Sequence, residues 1–167
     1  MNNYYGKYLV LLPIFVLIQV LILNEIFFFT YINPYLYLTL IISLPLRTSK
    51  WYILFYAFSI GFLIDLFGGS LGFHSTATVL IAFIKTTISK ITIPYSILED
   101  NDEITLNKIG SKSFVIFSLL IILIHSTIIF GLEHLNFNLQ ILAKIIASSF
   151  TTLALILILE ILNFSKK

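Results

Sequence analysis

The stretch WYILFYAFSIGFLIDLFGGSLGFH, residues 51–74, decides the fold. Positions 51–67 carry a single charge, Asp65, and the run stops at Gly68-Gly69. A helix that is apolar on all sides rather than along one stripe belongs in lipid or deep in a bundle. The glycines and Ser70 then give the backbone a tight reversal, after which a second apolar run begins at Phe73. Two long apolar segments joined by so short a polar break read as a hairpin of membrane-buried helices.

The same pattern extends outward in both directions. Further apolar segments lie at about 8–29 and 34–46 on the N-terminal side, and at 73–93, 114–130 and 139–162 on the C-terminal side. The segment at 34–46 would be only about 20 Å long as a helix, so a tilted or partly re-entrant element is expected there. Lys7 followed by the first run imitates a signal peptide, but no small-x-small cleavage site follows, and a retained helix is expected. One long polar loop, 94–112, carries Glu99, Asp100, Asp102 and Glu103, then Lys108 and Lys112.

Of the 167 residues, 59% are hydrophobic and 11% charged. Soluble domains carry about 25% charged residues, so too few remain here to wet a globule of this size. No run shows the alternating hydrophobicity of a membrane β-strand. In lipid that leaves helices, which satisfy their backbone N–H and C=O groups internally. The expected fold class is an all-α membrane protein: a six-transmembrane-helix bundle with a short second helix, in one polytopic domain spanning 1–167.

Lysine and arginine placement orients it. With the N-terminus in the cytoplasm, the inner ends and loops collect Lys7, Arg47, Lys50, Lys90, Lys108, Lys112, Lys166 and Lys167. The outer turns around 25–33, 68–72 and 131–138 hold no Lys or Arg. Both termini are therefore expected inside. Tyr4, Tyr5, Tyr8, Trp51 and Tyr52 would mark the inner interface, and Tyr31 and Tyr35 the outer one.

Several chemistries are excluded or unsupported. The chain has no cysteine, so disulfide and thiolate chemistry are absent. His74, His125 and His134 lie in separate segments without metal-ligand spacing, and no metal site is expected. There is no G-x-S-x-G elbow and no phosphate-cradling glycine loop. An intramembrane serine protease would pair a serine with His125 across two helices, and nothing else in the sequence points that way. The net charge of +2 is spread over loop lysines and makes no surface for nucleic acid. No enzyme activity and no cofactor are expected.

Ionisable residues in lipid carry the remaining information, since each costs at least about 2.5 kcal/mol near a helix centre. Asp65 lies in the outer third of its helix. Ala57, Gly61, Asp65 and Gly68 share one face, with Gly69 and Gly72 following in the turn. That face is a seam where another backbone can approach closely, either a partner's helix or one of the chain's own. Asp65 has two readings: a turn residue bonding backbone N–H groups, or a partner or ligand contact. Lys144 lies at similar depth, beside Ser148, Thr151 and Thr152, so an Asp65–Lys144 ion pair is one expectation and snorkelling of Lys144 to the headgroups the other. Lys85, Lys90 and Glu160, nearer the cytoplasm, are expected to pair or snorkel likewise.

The segment Gly61-Phe-Leu-Ile-Asp65-Leu-Phe-Gly-Gly-Ser-Leu-Gly72-Phe-His74 resembles the signature of the MreD family, the rod shape-determining membrane proteins of bacteria. That pattern is a helix ending in G-x-x-x-D, a glycine-rich turn, then L-G and an apolar helix; Gly61, Asp65, Gly69, Leu71 and Gly72 fit it. Phe73-His74 stand where a small or aliphatic pair belongs. The overall length, six apolar runs, short second segment and inner loop agree. The resemblance implies a non-enzymatic scaffold of the cell-elongation machinery in the bacterial cytoplasmic membrane. It would bind an MreC-like periplasmic scaffold and through it act with the MreB filament, RodA and a class B transpeptidase. It also implies a fold similar to the substrate-binding subunits of energy-coupling-factor vitamin transporters. A small-molecule-binding subunit of that kind is the alternative function, although the first helix lacks the alanine-rich face a coupling partner would use.

Overall fold

The apolar runs become helices, and the segment at 34–46 and one face of the run at 73–93 become the interior. The structure, a computed structural model, describes residues 4–25, 32–94, 103–134 and 138–164. Helix α1 (Tyr4–Ile18) continues into a π-helical turn (Gln19–Leu23) that Asn24 closes by donating to the Gln19 carbonyl at 2.8 Å. After it come a six-residue helix, α2 (Leu38–Ser43), then α3 (Lys50–Gly68), α4 (Phe73–Thr92), a four-residue α5 (Leu106–Ile109), α6 (Ser111–Glu133) and α7 (Leu139–Phe164). The sequence placed α3, α4, α6 and α7 to within a few residues; α5, inside the polar loop, was not foreseen. The outer-interface reading of Tyr31, the acidic residues Glu99, Asp100 and Asp102, and the terminal Lys166 and Lys167 lie outside the described residues.

Among the described residues, four helices are long and apolar enough to cross a membrane: Tyr5–Leu23, Lys50–Gly68, Ser111–Glu133 and Leu139–Leu162. Their outward faces hold large apolar side chains, among them Leu9, Val10, Trp51, Phe55, Phe62, Leu66, Phe150 and Ile161. So much exposed hydrocarbon is untenable in water and is what lipid solvates. The chain is thus an all-helical membrane protein by its own surface.

The other two expected crossings are built differently. Helix α4 is 20 residues long but carries Lys85, Lys90 and several Ser and Thr. It packs between α3 and α6, while α7 packs on α6. A helix enclosed by neighbours need not be lipid-compatible all round, so its buried Thr78, Lys85 and Ser89 are permitted. The segment at 34–46 is not a long helix. Residues 33–37 are non-helical before the short α2, and Tyr37, Leu38, Ile41, Ile42 and Leu44 are completely buried. It therefore fills the core beside α1, α4 and α6 instead of meeting lipid.

On the Lys50 side of the bundle, the end of the polar loop is pinned down. Lys7 pairs with Glu103 at 2.7 Å, Ile104 N–H donates to the Ser43 carbonyl at 3.0 Å, and Leu106 N–H donates to Glu160 at 3.1 Å. Glu160 thus takes a backbone donor rather than a lysine. Lys85 does not snorkel: it is buried and donates to the Leu44 carbonyl, which ends α2. Of the expected interfacial aromatics, Trp51 and Tyr5 are exposed, whereas Tyr8 and Tyr35 are buried inside the bundle.

Candidate functional site: a cavity at one end of the bundle on a hydrogen-bonded floor

The α3–α4 corner is held by one carboxylate. Asp65 Oδ1 accepts from Ser70 Oγ at 2.5 Å and His74 N–H at 3.1 Å. Its Oδ2 accepts from Ser75 N–H at 2.8 Å and from the Ser75 hydroxyl. His74 and Ser75 open α4, so Asp65 caps the next helix by satisfying amides that would otherwise face lipid unpaired. Gly69 and Gly72 take φ of 69° and 87°, the left-handed region that lets the chain reverse between the helices. Of the two readings of Asp65, the turn residue is the one observed.

Gly61 marks the closest approach in this corner. A Cβ built there would lie 2.5 Å from Ser75 Cα, 2.5 Å from Thr78 Oγ1 and 2.6 Å from the His74 carbonyl oxygen. Ala57, Gly61 and Asp65 are all buried. The seam is therefore filled by the chain's own α4 and is not open to a partner's helix. Gly68 is exposed and faces Asn24, with 3.6 Å from a built Cβ to the amide nitrogen. Lys144 is not among the partners of Asp65: the carboxylate is filled by the turn's own donors, and α7 lies beyond α6 and α4 from α3. The expected ion pair is not formed.

Non-helical backbone inside a membrane protein must find side-chain partners. For residues 33–37 they come from two long helices. Asn33 N–H donates to Ser148 Oγ at 3.0 Å and Tyr35 N–H to Thr152 Oγ1 at 2.9 Å, both on α7. Gln19 supplies both faces of its amide, donating to the Pro34 carbonyl at 2.8 Å and accepting from Leu36 N–H at 3.0 Å. Its nitrogen also reaches Asn24 Oδ1 at 2.9 Å. The hydroxyl stripe of α7 was legible in sequence, but its partner was not. Gln19 was missed altogether; a lone amide in an apolar run was the available signal.

This segment carries two tyrosines into the core. The Tyr37 hydroxyl sits between His74 Nδ1, at 2.8 Å, and His125 Nε2, at 3.0 Å. The Tyr35 ring lies edge-on to both imidazoles, with centroids 6.0 Å and 4.9 Å away. His125 is completely buried and its Nδ1 has no hydrogen-bond partner. With Tyr37 as its ring partner, His125 is not poised to activate a serine; Ser126 bonds Ser149 instead, at 3.1 Å.

Above this floor opens a cavity of about 410 Å³, lined by Asn24, Asn33, Tyr35, Gly68, Gly69, Ser70, Leu71, Phe73, His74, Ile129 and Glu133. It lies at the end of the bundle where α3 and α6 finish and α4 begins. Gly68 and Gly69 thus belong to a cavity wall, while Ala57, Gly61 and Asp65 hold the corner behind it. Among the described residues no cluster of three or more metal-ligating side chains occurs. No protein-family profile, curated protein or solved structure matches the chain.

Proposed function

We propose that the protein is a non-enzymatic membrane subunit of the bacterial cell-elongation machinery, of the MreD kind, that binds an MreC-like scaffold. One observation supports this most: the residues that carry the resemblance work as a single device. Gly61 admits α4, Asp65 caps it, and Gly69 and Gly72 turn the chain between them. A run of residues that builds one rigid corner is what a scaffold requires.

In this reading the chain crosses the cytoplasmic membrane six times with both termini inside. The geometry of the second segment supports that count. Its first part meets His74 at the start of α4, and Leu44, at the end of α2, meets Lys85 about 16 Å further down the same helix. Since α4 occupies the Gly61 seam, a partner's transmembrane helix must pack on the lipid-facing surface or at the outer rim.

The test is affinity purification from mild detergent through a C-terminal tag, with co-purifying proteins identified by mass spectrometry. Recovery of an MreC-like scaffold with RodA or its transpeptidase is the expected result. Recovery of an ATPase pair with a coupling subunit would overturn the assignment and favour a transporter. Topology is checked separately, since a chain without cysteine gives no labelling background. Leu71→Cys should react from the periplasm and Asn107→Cys only after the membrane is permeabilised.

A further inference from the structure

The outer cavity has the attributes of a binding site rather than of a packing defect. Its volume falls in the range of small-ligand sites, which are mostly apolar with a few convergent polar groups. Phe73, Leu71, Ile129 and the Tyr35 ring supply the apolar part. The polar part includes a group the fold barely uses: the Tyr35 hydroxyl is buried, with the residue 2% exposed, and makes no hydrogen bond of good geometry, its side-chain interaction being a weak one with Asn33 on the cavity wall. Burying a hydroxyl without a good partner is costly, and a native fold carries few such groups without a reason. The side chains that bear on this hydroxyl, Asn33 and Glu133, themselves line the cavity.

Charge narrows the chemistry. Glu133 is the one carboxylate among the described lining residues, and none of them is Lys or Arg. Beside it stands His134, whose Nε2 lies 3.9 Å from the carboxylate, beyond hydrogen-bond distance. His74 has Nδ1 committed to Tyr37, so its Nε2 is the nitrogen left for the cavity. A carboxylate beside aromatic faces, with a phenol and an imidazole nitrogen, suits a positively charged nitrogen that also carries N–H donors.

We propose that this cavity binds an ammonium group, with Glu133 as its counter-ion and the Tyr35 hydroxyl and His74 Nε2 as its hydrogen-bonding partners. Two sources present that chemistry at this depth: a free organic amine, or the amine of a phospholipid headgroup. The floor adds a readout. Tyr37 has one proton and two imidazole neighbours, so it donates to one ring and accepts from the other. If His74 Nε2 accepts from the ligand, its Nδ1 carries the proton and donates to the Tyr37 oxygen. Tyr37 then donates to His125 Nε2, and the His125 proton sits on Nδ1. Occupancy of the cavity thereby fixes the tautomer of a buried histidine on α6. The inference stands apart from the cell-elongation reading, because it concerns only this cavity.

Two probes test it on the full chain. Phenethylamine is titrated calorimetrically into protein held in phosphatidylglycerol nanodiscs, beside its neutral analogue phenethyl alcohol. Separately, native mass spectrometry compares retention of phosphatidylethanolamine with that of phosphatidylglycerol. Glu133→Gln should weaken the amine by about tenfold or more, and Tyr35→Phe by a smaller factor. Glu133 is partly exposed and serves no cap, so its variant keeps the wild-type unfolding temperature. Loss of phenethylamine binding in Glu133→Gln identifies a free-amine site. Selective phosphatidylethanolamine retention, abolished by the same change, identifies a headgroup site. Tautomers follow from ¹⁵N shifts of labelled histidine: His125 should move to the Nδ1–H form when ligand is added. The proposal is overturned if neither probe binds, if alcohol and amine bind equally, or if Glu133→Gln binds as wild type does.

Discussion

Replacing Gly61 with alanine should damage the fold before it damages any complex. The added Cβ would stand 2.5 Å from Ser75 Cα and 2.6 Å from the His74 carbonyl oxygen. Ordinary contacts of a Cβ begin near 3.4 Å, so α3 and α4 must part by about 1 Å at their crossing. Two of the three obstructing atoms are backbone and cannot rotate away; only Thr78 Oγ1 can. The same two residues donate their N–H groups to Asp65, so parting the helices also stretches that cap. Overpacking costs about 1–3 kcal/mol, and a strained cap adds about 1 kcal/mol. At about 2–4 °C per kcal/mol for a chain of this size, the unfolding temperature in detergent should fall by roughly 4–15 °C. Thr78→Ala on the Gly61→Ala background should recover only a minor part, because the backbone contacts remain. An unchanged unfolding temperature in Gly61→Ala would refute the close crossing and the packing argument with it.

Gln19→Leu removes both partners of the Pro34 carbonyl and Leu36 N–H, and should destabilise by about 2–4 kcal/mol, read as faster proteolysis of the segment 33–37. A loss below 0.6 kcal/mol, the order found for average polar contacts between membrane helices, would mean the segment finds other partners. Asp65→Asn keeps the shape but replaces one acceptor oxygen by a donor facing Ser75 or Ser70, so it should cost about 1–2 kcal/mol in thermal unfolding, with Asp65→Ala worse. Lys85→Met exchanges a buried charge, costing at least about 2.5 kcal/mol, for an unpaired Leu44 carbonyl worth about 1–3 kcal/mol. The two nearly cancel, so stability should change by less than about 1.5 kcal/mol; collapse of the protein would show that the lysine stabilises the fold by more than its bond to the Leu44 carbonyl.

Legibility of the sequence followed the reach of each signal. Helices α3, α4, α6 and α7 announce themselves because lipid forces long apolar runs and Gly68-Gly69 stops one of them. Asp65 as a turn residue was readable because its partners lie within ten residues. The small face at Gly61 was readable as a seam, but not which helix fills it, since any helix would leave the same signature. The segment 34–46 misled as a possible helix because burial on all sides erases periodicity. Its supports on α7, Ser148 and Thr152, lie more than a hundred residues from it, and a single sequence does not link them. Equal depth likewise suggested Asp65 with Lys144, yet depth says nothing of which side of the bundle a helix occupies.

The way residues 33–37 are held has a consequence for biogenesis. Gln19 emerges from the ribosome before the segment does, so half of its anchorage is waiting. Ser148 and Thr152 arrive more than a hundred residues later, with α7. Until α7 inserts, the amides of Asn33 and Tyr35 have no partner in the chain and must stay with water, at the membrane surface or inside the translocation machinery. The core is consequently closed only once α7 is made, and a nascent chain stalled before it should remain accessible to protease at this segment while α3 and α4 are already protected.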